Sequence, residues 1–112
     1  MEIVYSPTAI EDLQHLYKYI VDNWGENVSK RVLKKIASNI RSLEQFPVSG
    51  IALGNVIDTL TDYRHLYTEK NYVFYRLELD KVRIIRILNE RQKFIDHLFK
   101  AITDDNGNFE KE

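Results

Sequence analysis

Apolar residues follow a helical period over the first part of the chain. A short β-prone run, EIVYS, ends at Ser6, a residue type that caps helix N-termini, and Pro7 suits the first helical position. Apolar side chains then recur at three- and four-residue steps as far as Gly25, and a second stripe runs from Val28 to Leu43. The pattern predicts an N-terminal strand followed by two helices, which the short turn between them makes antiparallel.

The second half of the chain shows patterns typical of strands. Three β-prone runs, TLTDYRHLYT, NYVFYRLEL and KVRIIRILN, are joined at EK and at DK, connections short enough for antiparallel hairpins. A loop at residues 47–59 precedes them, and a short amphipathic helix from Phe94 to Ile102 follows. The order β-α-α-β-β-β-α predicts an α+β fold in which the antiparallel two-helix hairpin packs on one face of an antiparallel sheet and leaves the other face open. We expect a single domain over residues 1–102 and a polar, flexible tail over 103–112.

Composition narrows the class of protein. The chain has 112 residues and no cysteine, which excludes disulfides and thiolate metal sites and favours a reducing cytosol. Its first residues include early acids and no long apolar run, so we expect no secretory signal, no membrane helix and a cytoplasmic protein. The formal net charge is −1, yet residues 63–93 hold 8 Lys/Arg against 4 Asp/Glu. The predicted strands therefore form the basic part of the chain.

The last predicted strand carries two arginines within an aliphatic run. At a period of two, Arg83 and Arg86 point to opposite faces of the sheet, and the face of Arg86 also carries Val82, Ile84 and Leu88. A guanidinium on a buried strand needs water, a carboxylate or a phosphate. We therefore expect one arginine to reach the open sheet face and the other to reach a carboxylate or the edge of the helical layer.

Common catalytic motifs do not occur in the sequence. The three histidines, His15, His65 and His97, share no metal-ligand spacing, and the chain has no nucleophile elbow, glycine-rich phosphate loop or paired-carboxylate signature. Neither a metal nor a cofactor is therefore predicted. What remains is a series of basic residues interleaved with tyrosines along the strands. Such a surface suits a polyanion or stacked bases, and it is also typical of a solvated sheet face, so a non-toxic basic-sheet binding domain stays open as a function.

Several segments together resemble the RelE/ParE superfamily of type II toxins. They are SPTAIEDLQHLYKYI, a second helix ending in IRSLEQFPVSG, and YRHLY followed by NYVFYRLELDKVRIIRILNERQKF. The most specific parts are SPxAxxDL, FPxSG and the ER pair after the last strand, and the resemblance extends from Ile3 to about Phe99. It implies a curved antiparallel sheet with two helices on one side, a role in growth inhibition and plasmid stabilisation, and a cognate antitoxin that binds and blocks the toxin.

The resemblance leaves two targets open. RelE-like members cut messenger RNA on the ribosome with basic and aromatic side chains, whereas ParE-like members poison DNA gyrase. In strand register, Tyr72 replaces a RelE catalytic arginine, while Tyr63 and His65 fall on or beside its lysines. Only Arg91 matches a catalytic arginine directly, and the stacking tyrosine near the C-terminus falls near His97. Since the long helical hairpin is also more like ParE, we predict gyrase inhibition, with metal-independent, ribosome-dependent mRNA cleavage as the alternative.

The two targets imply overlapping site residues and the same kind of partner. If the protein is a nuclease, its catalytic residues are predicted to be Arg64, His65, Arg91 and His97. The residues predicted to bind the target are Arg64, Arg83, Arg86, Arg91 and Lys93. The expected partners are a cognate antitoxin and either DNA gyrase or the ribosome with mRNA, without a membrane. The antitoxin is expected to bind through an amphipathic segment laid along the helical hairpin or a sheet edge.

Overall fold

The computed structural model describes residues 1–53 and 63–91. Its elements are β1 (Glu2–Tyr5), α1 (Pro7–Trp24), α2 (Glu26–Arg41), a 3₁₀ turn (Ser42–Glu44), β2 (Ile51–Ala52), β3 (Tyr63–Thr68), β4 (Asn71–Leu77) and β5 (Lys81–Asn89). They form the predicted α+β fold, in which the helical hairpin covers one face of an open, curved sheet of strand order β1-β5-β4-β3-β2. The predicted C-terminal helix and the tail at 103–112 lie outside the described residues.

Two features of the sheet differ from the prediction. Strand β1 pairs in parallel with β5, so the sheet is mixed, with an added parallel edge. The predicted loop at residues 47–59 contains the short strand β2, which pairs antiparallel with β3. Strands β3, β4 and β5 form the two antiparallel hairpins that the EK and DK spacings predicted. Glu69 and Lys70 connect β3 to β4 with φ angles of 50° and 64°, the positive values that a two-residue type I′ turn requires.

Helix α1 begins and ends where the sequence predicted, whereas α2 begins and ends about two residues before its predicted apolar stripe and Leu43 lies in the 3₁₀ turn. The Ser6 hydroxyl accepts a hydrogen bond from the Ala9 N–H at 3.0 Å and donates one to the Ile85 carbonyl at 2.9 Å, so the N-cap also ties α1 to β5. Gly25 separates the helices with a φ of +94°, a conformation that residues with a Cβ rarely adopt. Within the described residues, no helix is both long enough and apolar enough to cross a membrane.

Apolar clusters are buried on both faces of the sheet. The helix-side cluster comprises Ala9, Ile36, Ile40, Leu43, Val73, Tyr75, Val82, Ile84 and Ile87. The opposite-face cluster comprises Leu53, Tyr63, Phe74, Ile85 and Leu88. Phe74 is fully buried, and only 1% of Leu88 is exposed. The expectation of an open, solvated second face is therefore wrong for this central part of the sheet.

A β-bulge explains how β5 supplies both clusters. The β4–β5 pairing passes from Tyr75 opposite Ile84 to Phe74 opposite Arg86, so Ile85 is an extra residue in β5. Beyond this point the two faces exchange, and Leu88 joins the opposite-face cluster while Ile84 belongs to the helix side. The predictions that Ile84 and Leu88 share a face and that Arg83 and Arg86 point to opposite faces were both wrong, because a strict period of two does not allow for an inserted residue. Arg83 and Arg86 lie opposite Arg76 and Phe74, which are two residues apart in β4 and therefore share a face.

Candidate functional site

Arg86 is held by a carboxylate on α1. Its Nε and Nη2 atoms donate to the two carboxylate oxygens of Asp12 at 2.8 and 3.0 Å, and the Ile87 main-chain N–H donates to the same carboxylate at 2.9 Å. The side chains of Arg86 and Asp12 are only 14% and 10% exposed. Asp12 thus neutralises a largely buried arginine and satisfies an N–H of β5 beyond the end of β1, as buried charges and edge strands require. The prediction that one strand arginine reaches a carboxylate is confirmed.

Arg83 pairs with a second carboxylate, that of Glu78 in the β4–β5 connection. Glu78 accepts hydrogen bonds from Arg83 Nε at 2.8 Å and from Arg76 Nη2 at 2.7 Å, and the two arginines face each other across β4 and β5. The bonds from Arg83 and then Arg76 lower the pKa of Glu78 to about 2. Arg76 also donates to the Tyr63 hydroxyl at 3.0 Å and lies over the Tyr63 ring. Arg83 therefore belongs to a compact cluster in which one carboxylate bridges two arginines.

Arg64 fastens the segment that follows α2. Its Nη1 atom donates to the carbonyls of Val48 and Gly50 at 3.2 and 2.7 Å. Tyr75, directly opposite Arg64 in the sheet, donates to the Pro47 carbonyl at 2.9 Å and accepts a bond from the Gly50 N–H at 3.0 Å. Burial raises the pKa of the Tyr75 hydroxyl. These contacts hold the FPVSG segment against the sheet, which gives this motif a structural role.

His65 lies on the opposite face from Arg64, in a group of aromatic rings. Its ring centroid is 5.4 Å from that of Tyr72 and 5.9 Å from that of Phe74, and Tyr67 adjoins Tyr72 at 5.1 Å. The His65 Nδ1 atom is buried and makes no hydrogen bond within the part of the chain that the structure describes. This burial lowers the pKa of His65 below its usual value near 6.5.

The lowered pKa predicts that His65 makes folding less favourable in mild acid. As the pH falls below about 6.5, the unfolded chain binds a proton at this histidine while the folded chain resists it, so the free energy of unfolding falls. Urea unfolding at pH 8, 6.5 and 5 should show a smaller loss of stability for His65→Phe than for the wild type. His15→Phe, at an exposed histidine of α1, is the matched control. An unchanged pH dependence in His65→Phe would contradict the prediction.

Arg91 stands at the mouth of a groove between the helical hairpin and the strand ends. Its main-chain N–H donates to Asn89 Oδ1 at 3.0 Å, and its exposed side chain pairs with no carboxylate of the described residues. Two cavities of about 390 and 490 Å³ meet here and form what we call the hairpin groove. Its apolar wall consists of Leu16, Tyr19, Ile20, Trp24, Val28 and Val32.

The structure separates most of the residues that the sequence singled out. Arg64 and His65 lie on opposite faces, and Arg83 lies away from the helices, so these three side chains do not converge. Arg86 and Arg91 do come together, because both line the same cavity of the hairpin groove. The other two predicted site residues, His97 and Lys93, lie outside the described residues. No group of three or more His, Asp or Glu side chains within 1–53 and 63–91 could hold a metal ion.

Sequence reasoning missed three residues that organise these arginines. Asp12 resembles any polar position on a helix, Glu78 belongs to a hairpin connection, and Tyr75 looks like one more strand aromatic. Two of the motifs behind the family resemblance contained a signal, since SPxAxxDL includes Asp12 and FPxSG ends at Gly50. Their structural roles required tertiary contacts that periodicity does not reveal.

Comparison with known proteins defines the family. The family model for the ParE toxin of the type II toxin-antitoxin system parDE matches residues 3–94. The chain belongs to the ParE toxin family. Membership confirms the resemblance noted in the sequence and makes the chain the toxin component of a type II toxin-antitoxin system. A search of curated proteins found no significant match.

Solved structures support the fold of this ParE-family toxin. A chain of the chromosomal ParDE toxin-antitoxin system from P. aeruginosa aligns with a TM-score of 0.68 and 20% identity, covering 80% of this chain and 95% of that chain. A chain of the heterotetrameric YoeB-YefM toxin-antitoxin complex from Staphylococcus aureus aligns with a TM-score of 0.51 and 24% identity, covering 79% and 94%. At these identities the likeness concerns the fold.

Proposed function

We propose that this ParE-family toxin arrests bacterial growth by inhibiting DNA gyrase and that a cognate antitoxin neutralises it. The proposal rests on the contacts that three arginines of the strands make within the fold. Arg64 holds main-chain carbonyls, while Arg83 and Arg86 are each paired with a different carboxylate. Because these guanidinium groups are already bound within the fold, their contacts favour a protein that inhibits its target by binding it. They do not favour a nuclease, which would gather cations around the scissile phosphate.

Cleavage of RNA without a metal ion requires several side chains to converge on the phosphate, and this arrangement of arginines does not favour such convergence. Each positioned electrostatic donor contributes roughly 2.7–4 kcal/mol to lowering the barrier, so several must meet at the scissile phosphate. Tyr72 occupies the strand position of a catalytic arginine in RelE-like toxins, and His65 points away from Arg64. Arg91 remains an exposed cation at the hairpin groove, and we propose it as a contact to gyrase. Lys93 is proposed as a neighbouring target contact from its place in the sequence.

Growth measurements test this proposal in cells. Induced expression of the chain is expected to stop growth, and co-expression of the antitoxin, sought as the product of the adjacent reading frame, is expected to restore it. Arg91→Ala should require about fivefold more protein for the same arrest, since truncating an interface hot spot costs more than about 1 kcal/mol. Lys18→Ala removes an exposed cation of α1 and is the matched control. Normal growth with confirmed soluble wild-type protein would contradict the proposal.

A further inference from the structure

The outer face of α2 carries most of the positive charge of the helical hairpin. Of the 16 Lys/Arg and 17 Asp/Glu of the chain, α2 holds five and one, which leaves 11 and 16 for the other 96 residues. The small net charge of the chain thus conceals one strongly basic helix. The five cations are all exposed and form what we call the α2 basic face: Lys30, Arg31, Lys34, Lys35 and Arg41.

The α2 basic face points away from the sheet. At about 100° per residue, its cations span roughly 140° of the helix circumference, and the buried residues of α2, Ser29, Ile36 and Ile40, lie on the opposite side. From Lys30 to Arg41 the face is about 16 Å long at 1.5 Å per residue. The cations therefore form one exposed array along the helix.

The spacing of these cations differs from that of an ordinary solvated helix face. Lys34 follows Lys30, and Lys35 follows Arg31, at the i,i+4 spacing where opposite charges stabilise a helix and like charges destabilise it. The repeated like-charge pairs cost the helix stability, and the fold gains no packing from them because all four side chains are exposed. This pattern indicates a surface that binds an anion.

The central cations of the α2 basic face also lack carboxylate partners. Lys30 binds Glu26 at 3.0 Å at the start of the helix. Within residues 1–53 and 63–91, no carboxylate pairs with the three cations that follow, Arg31, Lys34 and Lys35. A polyanion on this face would therefore relieve repulsion that the fold itself leaves uncompensated.

The surroundings of these cations indicate which polyanion fits. A helix that binds a lipid surface needs a free apolar face, but that of α2 is buried in the core. Single-stranded nucleic acids are bound with aromatic side chains that stack on the bases, and α2 contains none. Duplex backbones are bound by Lys and Arg together with Ser and Asn side chains, and Ser38 and Asn27 are exposed within the same arc.

The dimensions of the α2 basic face also suit a duplex. Duplex DNA carries one negative charge per about 1.7 Å of its axis, so an array about 16 Å long can contact several phosphates at once. At 0.15 M salt, charges are screened beyond about 8 Å, so the acidic remainder of the protein opposes this local contact only weakly.

We infer that the α2 basic face binds the phosphate backbone of duplex DNA. Arg31, Lys34 and Lys35 make the central contacts, which are independent of base sequence because they reach phosphates. The role of this binding rests on the proposed function. Because gyrase acts on the DNA that it holds, a toxin that binds the same duplex is concentrated at its target.

Fluorescence anisotropy with a labelled duplex of about 20 base pairs tests the binding by the full-length toxin. The Kd is expected to lie in the range of non-specific binding, roughly 10⁻⁴–10⁻⁶ M at physiological salt. A plot of log Kd against log salt concentration should rise with a slope of about 3–4, because about four phosphates are neutralised. A slope near zero would contradict a contact made by cations and phosphates.

Matched charge reversals assign the contact to α2. Lys34→Glu should raise the Kd about tenfold or more and lower the salt slope by about 1–2, whereas Lys18→Glu, at an exposed lysine of α1, should change the Kd less than about threefold. Lys34→Glu also relieves like-charge pairs, so its urea midpoint should not fall below that of the wild type. Lys35→Glu replaces Lys34→Glu if that variant fails to fold.

Other occupants of the face would give different results. Tighter binding to a single strand or to duplex RNA of the same length would overturn the assignment to duplex DNA. Equal affinity for labelled polyglutamate of the same charge would instead assign the face to an acidic protein surface. Equal losses of DNA binding in Lys34→Glu and Lys18→Glu would place the contact outside α2.

A supercoiling assay separates this inference from the function on which its role rests. Lys34→Glu should require several-fold more protein than Lys18→Glu to inhibit gyrase, and equal inhibition would overturn the role of the DNA contact. Binding of DNA through α2 without inhibition of gyrase by the wild type would remove the proposed function and leave the inference intact. Inhibition of gyrase by a wild type that does not bind DNA would overturn the inference and leave the proposed function standing.

Discussion

Asp12→Ala is expected to destabilise the protein by about 3–5 kcal/mol, the range found when one partner of a buried ion pair is removed. The substitution takes away both carboxylate bonds to Arg86 and the acceptor for the Ile87 N–H, in a place where the two charged side chains are at most 14% exposed. Denaturant unfolding monitored by circular dichroism measures the effect. Because the ion pair fastens α1 to β5, the loss should affect the whole domain in one transition.

An exposed ion pair on the same helix provides the control. Asp22 pairs with Lys18 at 3.2 Å, with side chains 57% and 77% exposed, so Asp22→Ala should cost only about 0.3–0.5 kcal/mol. The double variant Asp12→Leu/Arg86→Met should recover much of the stability that Asp12→Ala loses, because apolar side chains of similar size tolerate burial. If Asp12→Ala lowered the free energy of unfolding by no more than Asp22→Ala does, the Asp12–Arg86 pair would not be what holds α1 to the sheet.

Gly50→Ala is expected to lower the free energy of unfolding by roughly 3 kcal/mol, at the upper end of the range for overpacking a protein core. A Cβ at this buried position would lie 2.7 Å from the His65 carbonyl oxygen and would overlap the Tyr75 hydroxyl. Any movement of Tyr75 that makes room for this Cβ would disturb the hydrogen bonds that Tyr75 makes to Pro47 and Gly50. Thermal and denaturant unfolding, with Ser49→Ala at the exposed neighbouring residue as control, measure the difference.

A double-mutant cycle identifies the cause of that loss. Tyr75→Phe alone removes two hydrogen bonds, so it should destabilise the wild type by about 1–3 kcal/mol. In the Gly50→Ala background the same change should cost less, because it also removes the Tyr75 hydroxyl, the closest of the three atoms that the added Cβ would meet. Strict additivity of the two substitutions would contradict the steric explanation.

Much of the fold could be predicted because its signals are local. The Ser6–Pro7 pair, the helical stripes and the EK spacing each involve neighbouring residues, and the bounds of α1 and the β3–β4 hairpin appear where those signals place them. The parallel pairing of β1 with β5 joins residues about eighty positions apart, and the sequence contains no local sign of it. The β-bulge at Ile85 was missed for a related reason, since it depends on how β5 fits β4.

The candidate site was less predictable than the fold, because charge in a sequence does not reveal its partner. Arg64, Arg83 and Arg86 looked alike as basic strand residues, yet one binds main-chain carbonyls and two bind carboxylates. Arg91 is the member of the set whose exposed side chain pairs with no described carboxylate. The hairpin groove could not be inferred at all, since α1, α2 and the ends of two strands form it together.

The most direct test of the proposed target uses purified toxin on two substrates in parallel. One reaction contains DNA gyrase, ATP and relaxed plasmid, and the other contains ribosomes programmed with messenger RNA. We predict that the toxin inhibits supercoiling in a dose-dependent manner and leaves the ribosome-bound message intact. Codon-specific cuts in the message with unimpaired supercoiling would contradict the gyrase proposal and place this ParE-family protein among the ribosome-dependent nucleases.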